Sequence, residues 1–323
     1  MHLRDVVGQD HAVSLLERML AAGKLPHALL FSGPAGVGKG TVARALARAL
    51  LCAEGGCGAC EACRKVDEEI HPDLLILVPG GAGEVIAIEA IRDVTARLAF
   101  PPHEAPARLV ILEDADRLHL NAANAFLKTL EEPPARSYFV LLTASEGRLL
   151  TTILSRCQRV RFAPLGADTI ATLLERRGVP PERARLSAAL AGGSAKRAVE
   201  LAAEDALEKR QDRVLALVAA ARGGPRAASA AAAELAQSKE EIAGTLDLLG
   251  LWWRDVAALA AGAPEALCAF RGEALRAEAA RIAPAAAAAR ARAVLDAQTA
   301  LLGYANAQLA LEHMLGQMGG PSP

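Results

Sequence analysis

Residues 31–41 read FSGPAGVGKGT, a glycine-rich turn between two segments of different periodicity. The apolar run Ala28–Ser32 predicts a strand, and Thr41–Cys52 predicts a helix. Such a turn aims successive backbone N–H groups at a phosphate, and a lysine at its end adds an ammonium. The sequence therefore predicts a phosphate-binding loop, although a glycine-rich turn without a ligand has the same pattern. The candidate nucleotide-binding residues of this turn are Gly33, Gly36, Gly38, Lys39, Gly40 and Thr41.

One position of this loop departs from the pattern. Phosphate-binding loops carry Ser or Thr directly after the lysine because that hydroxyl binds Mg²⁺, and this chain has Gly40 there. Thr41 comes one residue later, about 100° further round a helix, so it does not simply substitute. The sequence therefore does not decide whether this loop binds ATP and Mg²⁺ as cofactors.

The first half of the chain alternates short apolar runs with helical patterns, which is typical of a parallel α/β sheet. The further predicted strands are Leu74–Val78, Leu109–Glu113, Tyr138–Thr143 and Arg159–Phe162. The further predicted helices of this half are Ile88–Leu98 and Asn121–Glu131. Short helices follow, and then long Ala/Leu/Arg-rich stretches with helical periodicity. The expected fold class is α/β followed by all-α, with domains at residues 1–164, 165–205 and 206–323.

The composition narrows the class of protein. Of 323 residues, 52% are hydrophobic and 23% are charged, which excludes a disordered chain. A net charge of −1 gives no general attraction to nucleic acid, and 3% aromatic residues argue against a platform that stacks single-stranded bases. No stretch is apolar enough to span a membrane, and the charged start MHLRDVVGQD has no signal-peptide core. These features predict a cytoplasmic, multidomain protein with no membrane partner.

Four of the six cysteines are clustered, at Cys52, Cys57, Cys60 and Cys63. Because disulfides are rare in the cytosol, this spacing favours a metal site, and four thiolates suit tetrahedral Zn²⁺. No His–Glu pair that would indicate catalysis accompanies the cluster, so we expect a closed, structural zinc module at residues 52–63. The alternative is a set of reduced thiols beside a flexible loop.

Acidic residues follow the third predicted strand, in the sequence LVILEDADRL. At this place P-loop proteins organise Mg²⁺ and the attacking water. Glu113 takes the position of the metal ligand and Asp114 that of the water-activating carboxylate, which reverses the usual order of Asp and then Glu. Together with Gly40, this order indicates a loop that has lost or weakened ATP hydrolysis. A solvated acidic turn is the alternative interpretation.

Several motifs occur in an order that resembles one family. They are RDVVGQ, LPHALLFSGPAGVGKG, the cysteine cluster, HPD at residues 71–73, LKTLEEPP and, after the fourth strand, SRCQ. Over roughly residues 1–200 this order resembles bacterial clamp-loader subunits of the AAA+ class. Gly40, the order Glu113–Asp114 and the ADRL that follows resemble the non-motor branch of that family more than its gamma/tau motor. The resemblance implies an AAA+ P-loop domain with a zinc module, a small helical lid and a C-terminal helical collar.

The resemblance also implies roles for single residues. Arg156 in the SRC motif matches the family's arginine finger, which acts in trans on the γ-phosphate of ATP in a neighbouring subunit. A lone arginine is otherwise most often part of a surface salt bridge. Thr143 lies where the family's sensor-1 segment ends. Lys196 or Arg197 matches the sensor-2 arginine of the lid, with an ambiguity of one residue.

The function that the resemblance implies is that of a non-motor subunit in the clamp loader of the bacterial replicative DNA polymerase. The implied partners are the gamma/tau and delta subunits in a hetero-oligomeric ring, the sliding clamp and, through the assembly, primed DNA. No polymerase activity and little or no ATPase is expected of the chain itself. One alternative is an ATP-hydrolysing gamma/tau-type motor. Another is a zinc-dependent DNA-binding module with an inert P-loop, which the neutral charge balance opposes.

Overall fold

The computed structural model describes residues 2–80, 85–203, 206–237, 239–265, 268–302 and 306–319. The chain divides into two compact units, one of residues 1–169 with 194–196 and the other of residues 170–193 with 197–323. The boundary that we expect at residue 205 lies outside the described residues. A separate lid and collar therefore stay a prediction.

A five-stranded parallel sheet organises the first unit. Its strands are β1 (Ala28–Ser32), β2 (Leu74–Leu77), β3 (Arg108–Leu112), β4 (Ser137–Thr143) and β5 (Gln158–Arg161). The strand order is β2-β3-β4-β1-β5, so β1 lies between β4 and β5. Because all pairs are parallel, the carboxyl ends of the strands share one edge of the sheet, which is where α/β proteins bind ligands. The predicted α/β class is confirmed, and each predicted strand differs from the observed one by at most one residue at either end.

The strands are apolar because the sheet is covered on both faces. Successive side chains of β1 alternate between the two sides: Leu29 and Phe31 belong to one buried cluster, whereas Ala28 and Leu30 belong to the other. Phe31 packs against Phe162 on the first side, with 5.1 Å between the ring centroids. The core of this unit therefore consists of two apolar layers with the sheet between them.

Helices flank the sheet and lead into its edge. In the first unit they are α1 (Asp10–Ala21), α2 (Lys39–Leu51), α3 (Glu61–Asp67), α4 (Ile88–Leu98), α5 (Leu120–Glu131) and α6 (Thr151–Leu154). Short 3₁₀ turns cover Leu3–Asp5, Ala115–Arg117 and Glu146–Arg148. Helix α4 has the predicted bounds, α2 begins two residues before the predicted start, and α5 begins one residue before it.

Helices alone make up the described remainder of the chain, as predicted. They are α7 (Ala167–Glu175), α8 (Pro181–Leu190), α9 (Ala195–Ala203), α10 (Ala206–Arg222), α11 (Pro225–Gln237), α12 (Lys239–Ala260), α13 (Glu273–Ala279), α14 (Pro284–Leu302) and α15 (Ala307–Gly319). Trp252 and Trp253 are buried in the core of the second unit, where Trp252 meets Phe270 edge to face and Arg290 lies over the ring of Trp253. Within the described ranges, no helix has both the length and the apolar character needed to cross a bilayer.

Candidate functional site

The glycine-rich loop runs from the end of β1 to the start of α2. Gly36 and Gly38 have φ values of 76° and 103°, in the left-handed region, and Gly38 is the N-cap of α2. At Gly33 a Cβ atom would lie 2.2 Å from the carbonyl oxygen of Phe162, so the backbone passes too close for any side chain. The path of the backbone therefore requires these glycines, whether or not the loop holds a phosphate.

The ammonium of Lys39 is turned toward the backbone of its own loop. Its Nζ donates to the carbonyl oxygens of Gly33 and Pro34, at 2.5 and 2.6 Å. Burial lowers the pKa of Lys39, and the carboxylates of Asp114 and Asp116 oppose this effect. The lysine is therefore held inside the loop, close to the acids that follow β3.

Residues 194–196 belong to the same compact unit as the loop. The backbone N–H of Lys196 donates to the carbonyl oxygen of Gly36 at 3.3 Å, and a Cβ atom on Gly36 would meet Oγ of Ser194 at 2.1 Å. The other sensor-2 candidate, Arg197, instead approaches Asp247 of the second unit to within 3.6 Å. Of the two, Lys196 is the residue that lies against the loop; its role as a sensor stays a prediction.

Glu113, the candidate metal ligand, is bound to an arginine. Its Oε1 accepts a hydrogen bond from Nη2 of Arg44 at 2.9 Å, while Nε of Arg44 donates to Glu69 at 2.6 Å. A Cβ atom on Gly40 would lie 2.8 Å from Nη1 of the same guanidinium. Burial acts to lower the pKa of Arg44, but the hydrogen bonds and charges of the two glutamates outweigh it and raise the pKa. The guanidinium of Arg44 thus lies between positions 40 and 113.

Mg²⁺ does not fit this arrangement. The ion requires a near-octahedral set of oxygen ligands. The hydroxyl expected at position 40 is missing, and the carboxylate of Glu113 already faces a cation that stays charged throughout the physiological range. Thr41, the nearest hydroxyl in the sequence, lines a depression together with Arg44, Arg48 and Asp67, so the same guanidinium is its neighbour. Sequence analysis missed Arg44, although its place one helical turn after Gly40 could have indicated it.

One of the other acids after β3, Asp116, meets the sensor-1 candidate at the same edge of the sheet. Oγ1 of Thr143 donates to Oδ1 of Asp116 at 2.7 Å, and the N–H of Ala144 approaches the same oxygen at 3.3 Å. Asp114 has a left-handed backbone, with φ of 45°, and precedes the 3₁₀ turn. Asp116 is the residue that contacts Thr143, and sequence analysis had not singled it out; its only signal was its place in the run EDAD.

The candidate arginine finger lies in the turn between α6 and β5. Nη1 of Arg156 donates to the carbonyl oxygen of Thr152 at 2.9 Å and approaches Oγ of Ser155 at 3.3 Å. Nη2 donates to Oε1 of Glu131 at 2.6 Å. About one third of the side chain, 34%, is exposed. Arg156 is therefore an accessible cation that one carboxylate of its own chain holds.

The four clustered cysteines form a candidate metal site. Their four Sγ atoms lie within 4.8 Å of one another. The N–H of Gly58 donates to Sγ of Cys63 at 3.2 Å, and the N–H of Cys63 donates to Sγ of Cys60 at 3.4 Å. This donor set fits a tetrahedral metal ion, and four sulfurs favour Zn²⁺. The structure thus confirms the prediction that these four cysteines can hold a metal ion.

Two thiols of the cluster have pKa values shifted in opposite directions. Burial acts to raise the pKa of Cys52, but N–H groups of residues 57, 56 and 54 outweigh it and lower the pKa to about 6. Burial raises the pKa of Cys63 to about 12. A bound Zn²⁺ would deprotonate its thiol ligands outright. Cys157 and Cys268 are buried and do not belong to the cluster.

Two ion pairs attach α3, the helix that carries Cys63, and the residues just after it to helix α2. Arg48 pairs with Asp67 at the end of α3, and Arg44 pairs with Glu69 just beyond it. The helix that begins at the glycine-rich loop is thus the same helix that holds α3 of the candidate zinc module.

These features define a P-loop protein of the AAA+ class. They are a glycine-rich loop, a parallel sheet with the strand order β2-β3-β4-β1-β5, acidic residues after β3 and a helical remainder of the chain. Residues 8–166 match the family described as "DNA polymerase III, delta subunit". Together with the curated relatives below, this match supports the identification of the chain with the delta-prime subunits of DNA polymerase III. The sequence-based resemblance is thereby confirmed.

The relatives differ in how much of their length is matched. The delta-prime subunit of Bacillus subtilis (strain 168) is 36% identical over 213 residues, which are 65% of this chain and 64% of that protein. The tau subunit of Salmonella typhimurium (strain LT2) is 37% identical over 175 residues, which are 53% of this chain and 27% of that protein. The solved structure of a gamma subunit-related protein from Thermotoga maritima is 18% identical with a TM-score of 0.39, covering 94% of this chain and 98% of that one. The chain spans less than two thirds of the length of these two curated relatives.

Proposed function

We propose that this chain is a non-motor, delta-prime-type subunit of the clamp loader and helps to place the sliding clamp on primed DNA. In this role its Arg156 acts in trans, at the ATP site of a neighbouring gamma/tau subunit. The observation that carries the proposal is the ion pair between Arg44 and Glu113. This pair engages the carboxylate at position 113, and Gly40 offers no hydroxyl, so the loop lacks the two usual protein ligands for Mg²⁺, whereas the guanidinium of Arg156 remains accessible.

The chemistry of the neighbouring site explains why an arginine suits this role. Water attacks the γ-phosphorus, the bond to the bridging oxygen breaks, and ADP and inorganic phosphate form. Negative charge is spread over the γ-phosphate oxygens in the transition state, where an added guanidinium is worth roughly 10³–10⁵ in rate. Arg156 has five N–H donors. Contacts with Thr152, Ser155 and Glu131 engage only its terminal nitrogens, so donors remain for a phosphate.

The remaining parts of the proposal rest on the similarity to delta-prime subunits. The partners are gamma/tau and delta subunits in a hetero-oligomeric ring in the cytoplasm, residues 165–205 form the lid and residues 206–323 the collar. Zn²⁺ at Cys52, Cys57, Cys60 and Cys63 has a structural role, since its four sulfur ligands leave no open position for a substrate. Thr143 is assigned to the sensor-1 position and Lys196 to the sensor-2 position. Both positions belong to a site that, in this proposal, no longer hydrolyses ATP.

A gamma/tau-type motor is the second candidate, because the tau relative is as similar in sequence as the delta-prime relative. The two functions differ in the activity of the isolated chain. A motor hydrolyses ATP alone, and Lys39→Ala abolishes that turnover. A non-motor subunit shows no turnover above a protein-free blank.

Reconstitution tests the proposed function itself. Clamp loaders are assembled from the gamma/tau and delta subunits with and without this chain, and clamp loading on primed DNA is measured. We expect stimulated ATP hydrolysis and clamp loading to require the chain. Full activity of the assembly without it would contradict the proposal.

A further inference from the structure

We propose that Glu131 is a positioning residue for Arg156: its carboxylate holds the guanidinium in the orientation in which the neighbouring ATP site meets it. This inference rests on the proposed function, because it assigns a second residue to the same trans-acting site. Glu131 belongs to the LEEPP motif, which otherwise has no chemical role in the protein. The contact between the two residues, 2.6 Å from Nη2 to Oε1, joins this motif to the SRC motif.

The carboxylate of Glu131 is presented from a fixed point of the fold. Glu131 is the last residue of α5, and Glu132 already leaves the helix with φ of −123° and ψ of 72°. Leu130, the preceding residue, is 2% exposed, and its carbonyl oxygen lies 3.2 Å from Nε2 of His27. Pro133 follows and prevents the helix from continuing. The backbone that carries Glu131 is therefore anchored, although its side chain is exposed.

The backbone that carries Arg156 is anchored in a similar way. Ile153 before it is fully buried, and Cys157 after it is 9% exposed. The N–H of Arg156 donates to the carbonyl oxygen of Ile153 at 3.1 Å. Only the side chain of Arg156 is free to choose among rotamers. Contacts with Thr152, Ser155 and Glu131 select one of them, and Glu131 is the only one of the three that carries charge.

A restrained guanidinium serves a trans-acting arginine better than a free one. A long side chain in water samples many rotamers, and small misplacements of a reacting group reduce the rate strongly. An exposed ion pair adds little to stability, so this contact restrains the finger without fixing it against the approach of a phosphate. Glu131 therefore acts on the neighbour's reaction through Arg156 and makes no contact of its own with ATP.

The test uses the reconstituted clamp loader with primed DNA and clamp present. We expect Glu131→Ala to lower kcat for ATP three- to tenfold and to leave KM for ATP unchanged, because the finger acts in the transition state. Glu131→Gln, which keeps an acceptor oxygen but loses the charge, falls between Glu131→Ala and the unaltered protein. Glu132→Ala, the adjacent exposed glutamate, is the matched control and keeps the full rate. Thermal unfolding and assembly of each variant are measured alongside.

A double-mutant cycle decides whether Glu131 acts through Arg156. The double variant Glu131→Ala/Arg156→Ala should be no slower than Arg156→Ala alone. A further loss in the double variant, a normal kcat for Glu131→Ala or a raised kcat would each overturn the inference. If Arg156→Ala itself keeps the full rate, the proposed function fails as well, so the two failures are distinguishable.

Discussion

The guanidinium of Arg44 lies 2.9 Å from the carboxylate of Glu113, and the missing side chain at Gly40 leaves room for it. Two departures from the P-loop pattern that are far apart in the sequence, at positions 40 and 113, therefore meet in one ion pair. The effect is to place a side-chain cation where a working P-loop requires oxygen ligands for a metal.

Restoring the hydroxyl alone is not expected to restore hydrolysis. In Gly40→Ser the new Cβ would lie 2.8 Å from Nη1 of Arg44, so the flexible end of the arginine must shift, while Glu113 keeps its attraction to a charged neighbour. We predict that the isolated variant folds and that its Mg²⁺-dependent ATP turnover stays at the level of the blank. The measurement is steady-state phosphate release by the lone subunit. Vigorous turnover by Gly40→Ser would show that Arg44 does not obstruct the metal.

The cysteine cluster predicts a metal content. Purified, reduced protein should carry about one zinc per chain, because four sulfurs form a closed tetrahedral site. Cys63→Ser should lose the ion and lower the unfolding temperature, since metal binding is coupled to folding of the module. Elemental analysis and thermal unfolding provide the two measurements. Cys157→Ser, a change outside the cluster, is the control and should retain zinc. Protein that contains no stoichiometric zinc when purified without chelator would contradict the assignment.

The carboxylate of Asp73, in the HPD motif, fixes the loop at residues 103–105. Sequence analysis assigned no role to this loop. The buried carboxylate of Asp73 accepts hydrogen bonds from the N–H groups of His103, Glu104 and Ala105, at 2.7 to 2.9 Å, and lies 3.2 Å from Nη2 of Arg108. Burial acts to raise the pKa of Asp73, but these N–H groups and Arg108 outweigh it and lower the pKa. We predict that Asp73→Asn lowers the free energy of unfolding by about 3 kcal/mol, because it leaves a buried arginine without its anion.

The pH dependence of this effect has a definite sign. A carboxylate whose pKa is lowered in the folded state stabilises the fold above its unfolded pKa, ordinarily 3.8. That contribution is lost as the pH falls from this value through the lowered pKa. The difference in unfolding free energy between Asp73→Asn and the unaltered protein should therefore be largest near neutral pH and shrink in acid. Urea denaturation at several pH values measures it, with exposed Asp93→Asn as the control. An equal difference at all pH values would contradict the assignment to the charge.

The sequence predicted the five strands of the first unit, and the helices α2, α4 and α5, to within two residues at each end, but it missed the helices α1, α3 and α6. Strands such as Ala28–Ser32 are short apolar runs between turn residues, and their alternation with helical patterns is a local signal that needs no knowledge of contacts. The same holds for Cys52, Cys57, Cys60 and Cys63, whose spacing alone indicated a shared metal. Local periodicity and spacing therefore sufficed for the fold class and for the candidate metal site.

The side-chain pairs that determine the chemistry of the site could not be predicted from local periodicity and spacing. Arg44 and Glu113 are 69 residues apart, Thr143 and Asp116 are 27 apart, and Arg156 and Glu131 are 25 apart. Each pair joins segments that the parallel sheet brings to one edge or one turn, so the pairing depends on strand order. A charged residue outside a motif also looks, in sequence alone, like an ordinary solvated side chain.

The central claim is that Arg156 acts in trans, and the stimulated ATPase of a reconstituted clamp loader tests it most directly. Arg156→Ala is compared with Arg159→Ala, with primed DNA and clamp present; Arg159 is a nearby arginine that is 45% exposed, against 34% for Arg156. Both variants should fold and assemble, because an exposed ion pair adds only about 0–1 kcal/mol to stability. We predict that Arg156→Ala lowers kcat by at least tenfold, that Arg156→Lys restores little because it lacks the bidentate fork, and that Arg159→Ala keeps the full rate. Full stimulated hydrolysis by an assembled Arg156→Ala complex would contradict the claim and leave the chain with a purely structural place in the ring.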